Sequence, residues 1–210
     1  MKKILLFKLS YMLIAGVVFF NNIPLLIAEP SKSAVISSSP LTEIKNTIDD
    51  ILKVIEKYPG KENTSERRAK LRELINPRFN FREMSQRCLG PAWNEISVDE
   101  REDFVNVFSN LLARTYLSKI ETVKPGMVQI NSETIEASKA LVRTTVKNNS
   151  DTFPIDYKLL NEDGQWRVYD VIIENIGLVS NYRNEFAGII RKEKFEGLMV
   201  KLREKSATGV

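Results

Sequence analysis

Histidine and cysteine, on which much nucleophilic, acid–base and metal chemistry depends, are nearly absent from this chain, and that narrows what it can catalyse. Its 210 residues include no histidine and one cysteine, Cys88. A Ser-His-Asp triad, a Cys-His pair, an imidazole base and a histidine-ligated zinc are therefore excluded. One cysteine cannot close an intramolecular disulfide, and with no imidazole base to activate it Cys88 reads as a small buried apolar residue. What remains is carboxylate and guanidinium chemistry. Asp170 and Glu174 lie four positions apart in "WRVYDVIIENIGLVSNYRNEF" (Trp166 to Phe186), and Asp156 is a third candidate base. As an acid–base pair the two would need raised, separated pKa values in a cleft. As structural groups, Asp170 would sit on a strand and Glu174 would accept the exposed amides that open the next helix. Arg114 and Arg143 have the forked donors that suit a phosphate, or they sit exposed on solvated faces. Arg67-Arg68 reads as a solvated helix face, with an acidic partner as the alternative. No catalytic residue, metal or cofactor is expected.

The elements that must position these groups follow from spacing. In the quoted stretch Trp166, Val168, Asp170 and Ile172 alternate onto one strand face, with Tyr169, Val171 and Ile173 on the other. From Leu178 the apolar residues fall at 178, 179, 182, 186, 189 and 190, a helix period. Upstream, Ser39-Pro40 predicts a helix start, followed by the stripe Leu41, Ile44, Ile48, Ile51, Leu52, Ile55 and a stop at Tyr58-Pro59-Gly60. A polar helix is predicted over 64–75, stopped by Pro77. Asn80 and Glu83 have capping-box spacing and open a short helix to Leu89, and Ser97 and Glu100 repeat the pattern. The helix they open runs to about Ile120, roughly 35 Å at 1.5 Å per residue. Its wide apolar arc (Phe104, Val105, Phe108, Leu111, Leu112, Tyr116) needs cover on more than one side. Strands are predicted over 127–136, 139–147, 152–160 and 165–173, then helices near 178–191 and 194–203. Four strands with short connections form an antiparallel meander, and helices before and after it give an α+β class.

The N-terminus reads separately. Lys2, Lys3 and Lys8 precede and open an apolar run to Phe20, with Pro24 and Ala28 beyond, the layout of a secretory signal peptide over residues 1–28. An uncleaved membrane anchor is the rival, although Asn21, Asn22 and Pro24 interrupt the run. Residues 29–40 are Ser/Pro-rich and read as a flexible segment, and 41–205 as a single domain. The 31 basic and 27 acidic side chains give +4, which falls to +1 without the three leader lysines. Basic character therefore belongs to the leader, and a nucleic-acid partner is not expected.

Three stretches together, "NPRFNFREMSQRCLGPAWNEIS" from Asn76, "FVNVFSNLLARTYLSKIE" from Phe104 and the one from Trp166, resemble the MlaC-type, or toluene-tolerance, periplasmic phospholipid-binding proteins. The likeness runs from Leu41 to Arg203. It implies a curved four-stranded antiparallel sheet packed against several helices, in a nuclear-transport-factor-like roll. It also implies a monomeric carrier in the periplasm of a Gram-negative bacterium that maintains outer-membrane lipid asymmetry. Such a carrier moves phospholipid between an outer-membrane lipoprotein complex and an inner-membrane ABC transporter with an MCE-domain subunit. One departure is visible. Where the family commonly has Glu-Gly, a β-branched residue and Ser, this chain has Glu174-Asn175-Ile176-Gly177. Asn tolerates the left-handed backbone such a turn requires.

Under that resemblance Phe108, Leu111, Leu112, Val128, Val142, Ile155, Leu159 and Val171 are candidate walls of an acyl-chain pocket. Tyr116, Tyr157, Trp166 and Tyr169 are candidates for its mouth, and Arg114 and Arg143 for headgroup contact. Each apolar or aromatic residue reads equally as ordinary core. The energetics suit a lipid: at about 0.8 kcal/mol per methylene, a sixteen-carbon chain represents on the order of 10 kcal/mol of transfer before ordering costs. Two other functions stay open, a carboxylate-based enzyme acting on a hydrophobic substrate and an envelope interaction module that binds no lipid.

Overall fold

Side-chain caps mark where most of the described helices begin. In a computed structural model, which describes residues 38–148 and 151–207, the order is α1 (Pro40–Lys57), α2 (Thr64–Ile75), α3 (Phe81–Leu89), α4 (Val98–Ile120), β1 (Val128–Glu136), β2 (Lys139–Asn148), β3 (Asp151–Glu162), β4 (Gln165–Ile173), β5 (Ile176–Gly177) and α5 (Leu178–Ala207). The expected leader over 1–28 and most of the expected 29–40 segment lie outside the described residues. Ser39 accepts from the Thr42 amide and Pro40 is the first helical residue of α1. At α4 the capping box is complete: Ser97 Oγ accepts from the Glu100 amide at 3.2 Å, and the Glu100 carboxylate accepts from the Ser97 amide at 2.7 Å. At α3 only half of the expected box forms. Asn80 accepts from the Glu83 amide at 2.9 Å, but the Glu83 carboxylate turns along the helix to Arg87, four residues on.

The strands pair as an antiparallel meander in the order β1-β2-β3-β4-β5. The class is α+β as the sequence predicts, with a fifth strand of two residues added to the four. It arises because Glu174 and Asn175 both adopt positive φ, 49° and 68°, between the paired Ile173 and Ile176. Two left-handed residues in a two-residue loop make the type I′ turn that suits a hairpin.

Two bulges break the sheet's register, between Ile130 and Ser132 on β1 and opposite Lys158/Leu159 on β4. On β4, Val168 pairs with Leu159 and Asp170 with Lys158, leaving Tyr169 as the extra residue. A bulge reverses the alternation beyond it. Val168 therefore shares a cluster with Trp166, Val171 and Ile173, while Tyr169 joins the helical core behind. The simple alternation expected across β4 is corrected at this residue.

Two apolar clusters result. One gathers α3, α4 and α5 around Phe104, Phe108, Tyr182 and Phe186, whose rings meet at 5.1–5.8 Å. The wide apolar arc of α4 is met by α2, α3 and α5. The other lies on the sheet face under α1: Ile44, Ala140, Val142, Leu159, Val168 and Val171 are buried there. α5 is interrupted at Lys194, whose φ of 61° and ψ of −176° are not helical, where two separate helices are predicted.

Arg67 and Arg68 are not a free solvated face. Arg67 and Arg68 each reach one oxygen of Glu121, just past α4, at 3.0 Å. Arg67 also donates to the carbonyls of Tyr58 at 2.7 Å and Gly60 at 2.8 Å. The corner between α1 and α2 is thereby tied to the end of α4.

Candidate functional site

α1 carries a strong apolar stripe, yet among its described residues only Pro40 and Ile44 are buried. Ile48, Ile51, Leu52, Val54 and Ile55 stay half-buried. An amphipathic helix normally covers its apolar face against the core. Here Ile44 and Ile48 pack on the sheet-face cluster, the rest of the stripe stays partly open, and α1 is tied at its ends. The Leu41 amide donates to Glu133 of β1 at 2.9 Å, and the Arg67–Glu121 knot holds the far corner. Between those anchors a groove of about 820 Å³ opens among α1, α2, the turn after α2 and the β3–β4 hairpin. That volume is within the range of small-molecule sites, roughly 300–1,000 Å³.

Apolar side chains and a charged set, its rim, line the groove together. Val54, Leu74, Pro77 and Trp166 supply apolar wall. Glu43, Asp50, Glu73, Lys70, Arg78 and Arg167 supply charge. Two pairs lie within the groove, Arg78 with Glu43 at 2.7 Å and Lys70 with Glu73 at 2.9 Å, while Asp50 and Arg167 pair outside it, with Lys53 at 2.9 Å and Glu162 at 4.0 Å. Trp166 also packs on the sheet-face cluster, so the groove borders that cluster directly.

The expected site residues divide between the two clusters. Val142, Leu159 and Val171 are buried on the sheet face, with Ile155, Tyr157 and Trp166 packed against them at partial exposure. Phe108, Leu111, Leu112 and Tyr169 are buried in the helical core, with Tyr116 packed on it. Tyr169 is held there by the Arg87 guanidinium, 4.5 Å from its ring centre. Val128 is half-buried at the start of β1 and belongs to neither cluster. Trp166 alone of the twelve lines the groove. Arg114 and Arg143 are both exposed, and neither lines it. Its guanidinium groups are Arg78 and Arg167, which no spacing in the sequence singles out: one lies in a 3-10 turn, the other in a hairpin.

Tyr157 has an unusual combination of features. Burial pushes its hydroxyl up to about 12, yet its surface is part-accessible. It lies on the sheet face between Val142 and Val171.

The carboxylates do not converge. Asp170 is buried, its Oδ1 accepts from the Val179 amide at 3.0 Å, and its Oδ2 lies 3.4 Å from Lys158 Nζ. It therefore caps the start of α5, the role expected of Glu174. Glu174 instead occupies the exposed β4–β5 turn, because the hairpin carries its side chain away from α5. Gly177 makes the capping possible: a Cβ there would stand 3.3 Å from Asp170 Oδ2 and 3.1 Å from Ser180 Oγ. Asp156 lies on β3 across from Arg143 and Ile172. Cys88 is buried, its thiol donating toward the Val179 carbonyl at 3.7 Å. Burial first, then the Asp170 charge, push it up to about 12. Among the described residues no cluster of three or more His, Cys, Asp or Glu has metal-binding geometry, and no helix is long and apolar enough to cross a membrane.

With this geometry in place, likeness to known proteins is informative. A sequence profile of the MlaC protein family matches residues 45–204. The intermembrane phospholipid transport system binding protein MlaC of Haemophilus influenzae is 20% identical over 185 residues, covering 84% of this chain and 86% of that protein. The solved structure of a phospholipid-binding protein from Ralstonia solanacearum, in complex with a phospholipid, superposes with a TM-score of 0.73 at 26% identity. That match covers 81% of this chain and 98% of the other.

Proposed function

We propose that this chain, which belongs to the MlaC protein family, carries phospholipid through the periplasm and hands it between outer- and inner-membrane complexes. One observation carries the reading: an apolar sheet face and a half-buried α1 stripe adjoin a groove of about 820 Å³ with a charged rim. Such a site offers apolar contact for acyl chains and charged groups for a headgroup, the two kinds of contact a phospholipid needs. The phospholipid held by the Ralstonia solanacearum protein supports the same reading.

In this proposal the acyl chains lie between α1 and the face bearing Val142, Ile155, Tyr157, Leu159 and Val171, with Trp166 at the entrance. Phe108, Leu111, Leu112, Tyr116 and Tyr169 then form the rigid backing, because they pack into the aromatic core rather than toward the groove. The protein acts without covalent chemistry. The carboxylate enzyme has less support, since the Asp170 oxygens are taken by Val179 and Lys158. Residues 1–28 would direct secretion and be removed, leaving one lipid-binding domain over 41–205. The proposed partners are an inner-membrane ABC transporter with an MCE-domain subunit and an outer-membrane lipoprotein complex. A carrier suits the energetics: lipid moves between two apolar settings, so the large transfer term nearly cancels at each handover.

The test is mass spectrometry of an organic extract from the secreted protein, purified without detergent. The expected result is close to one phospholipid per protein, retained through gel filtration. Folded protein that yields none, and takes none from vesicles, would overturn the proposal.

A further inference from the structure

We infer that the groove rim selects lipid by headgroup charge, favouring zwitterionic headgroups with a phosphate and an ammonium over net-anionic ones. The inference rests on the carrier reading and goes beyond it. Three carboxylates (Glu43, Asp50, Glu73) and three cations (Lys70, Arg78, Arg167) line the groove. A site built for net-anionic lipid would carry an excess of cations. This one is balanced.

The Arg78–Glu43 pair gives the balance a mechanism. The two are 2.7 Å apart, with side chains 39% and 24% exposed. Arg78 is the rim's forked donor nearest α1, and a phosphate is the ligand such a fork fits best. When Arg78 turns to a phosphate, Glu43 loses its cation. Glu43 also accepts from Ser38, but a hydroxyl does not neutralise it. A partly buried carboxylate stripped of its countercharge is costly. A headgroup ammonium restores that charge, so a zwitterion exchanges one ion pair for two. A phosphoglycerol headgroup offers Glu43 only hydroxyls. Lys70 and Glu73 on α2 repeat the arrangement at 2.9 Å.

The experiment loads the secreted protein from vesicles of equimolar phosphatidylethanolamine and phosphatidylglycerol, then quantifies both in the extract. Wild type is expected to be enriched in phosphatidylethanolamine by about threefold, the size set by partly exposed ion pairs. Glu43→Gln is expected to abolish or reverse the enrichment, and Arg78→Gln to increase it while lowering total load. Both variants break the same ion pair, so a purely structural role moves the ratio the same way in each. Lys70→Gln, on a more exposed pair, is expected to follow Arg78→Gln. A fully loaded wild type with an unchanged one-to-one ratio would overturn this inference and leave the carrier reading standing. Parallel shifts in the Glu43 and Arg78 variants would also overturn it. An empty extract would overturn both.

Discussion

Removing the Glu121 carboxylate is expected to unhook the α1–α2 corner, and the two arginines that hold it should contribute unequally. Both stand 3.0 Å from a Glu121 oxygen, so geometry alone does not rank them. Exposure does. Glu121 is 10% exposed and Arg67 12%, against 43% for Arg68. At an effective dielectric near 20 a pair at that separation gains about 5 kcal/mol of Coulomb energy. Desolvation of two nearly buried charges removes roughly half, leaving about 2–3 kcal/mol of coupling for Arg67–Glu121. Solvent screening holds Arg68–Glu121 below about 1 kcal/mol. The assay is a pair of double-mutant cycles (Arg67→Ala or Arg68→Ala, each with Glu121→Ala) read from urea unfolding midpoints. Arg67 also donates to two backbone carbonyls, but that loss appears in both legs of its cycle and cancels. Glu121→Ala alone should lower Tm by about 4–8 °C if it costs 2 kcal/mol. Equal coupling in the two cycles, or an Arg67 coupling below about 0.5 kcal/mol, would refute the burial argument.

Four further outcomes are expected. Asp170→Ala should cost about 1–2 kcal/mol in urea unfolding while Asp170→Asn costs about 0.5, because the amide oxygen still accepts from Val179; equal losses would remove the capping role. Lys194→Gly should raise the unfolding free energy by about 1 kcal/mol, since glycine enters the region near φ 61° and ψ −176° without strain; a fall would contradict it. Cys88 has a folded-state pKa of about 12 against an ordinary 9.0, so its contribution is present below pH 9 and lost as pH rises from about 9 to 12. Unfolding midpoints across that window should fall less steeply in Cys88→Ala than in wild type. Leu74→Trp, which fills the groove, should reduce phospholipid per protein in the extract by more than half while the thermal melt stays cooperative; full loading would place the lipid elsewhere.

Much of the fold was legible because its signals are local. Ser39-Pro40 and Ser97 with Glu100 mark helix starts through bonds spanning three or four residues, and Pro77 marks a helix end by its missing amide hydrogen; none needs a partner from elsewhere in the chain. Thr64–Ile75 and Gln165–Ile173 begin and end where their patterns place them. The turn after β4 came from the resemblance, with Asn175 able to tolerate its left-handed backbone; the two-residue hairpin and β5 were not anticipated. The site was less legible. Its twelve expected apolar and aromatic residues are recognisably interior or half-interior, but hydrophobicity does not say which of two clusters a residue joins, or whether its neighbours fill the space.

Those questions turn on pairings between distant segments. The Tyr169 bulge exists only relative to β3, because a strand's own sequence keeps the same alternation whether or not its partner skips a residue. Asp170 rather than Glu174 caps α5 because a two-residue hairpin folds the chain back and brings residue 179 to residue 170. Arg67 is largely covered and paired because Glu121 arrives from 54 positions away, and Arg78 is paired at the groove because Glu43 comes from 35 positions upstream. Periodicity and capping are properties of one segment and its own backbone, so the chain's order carries them. Register, burial and charge pairing arise where two segments meet, and the compact structure alone brings those segments together.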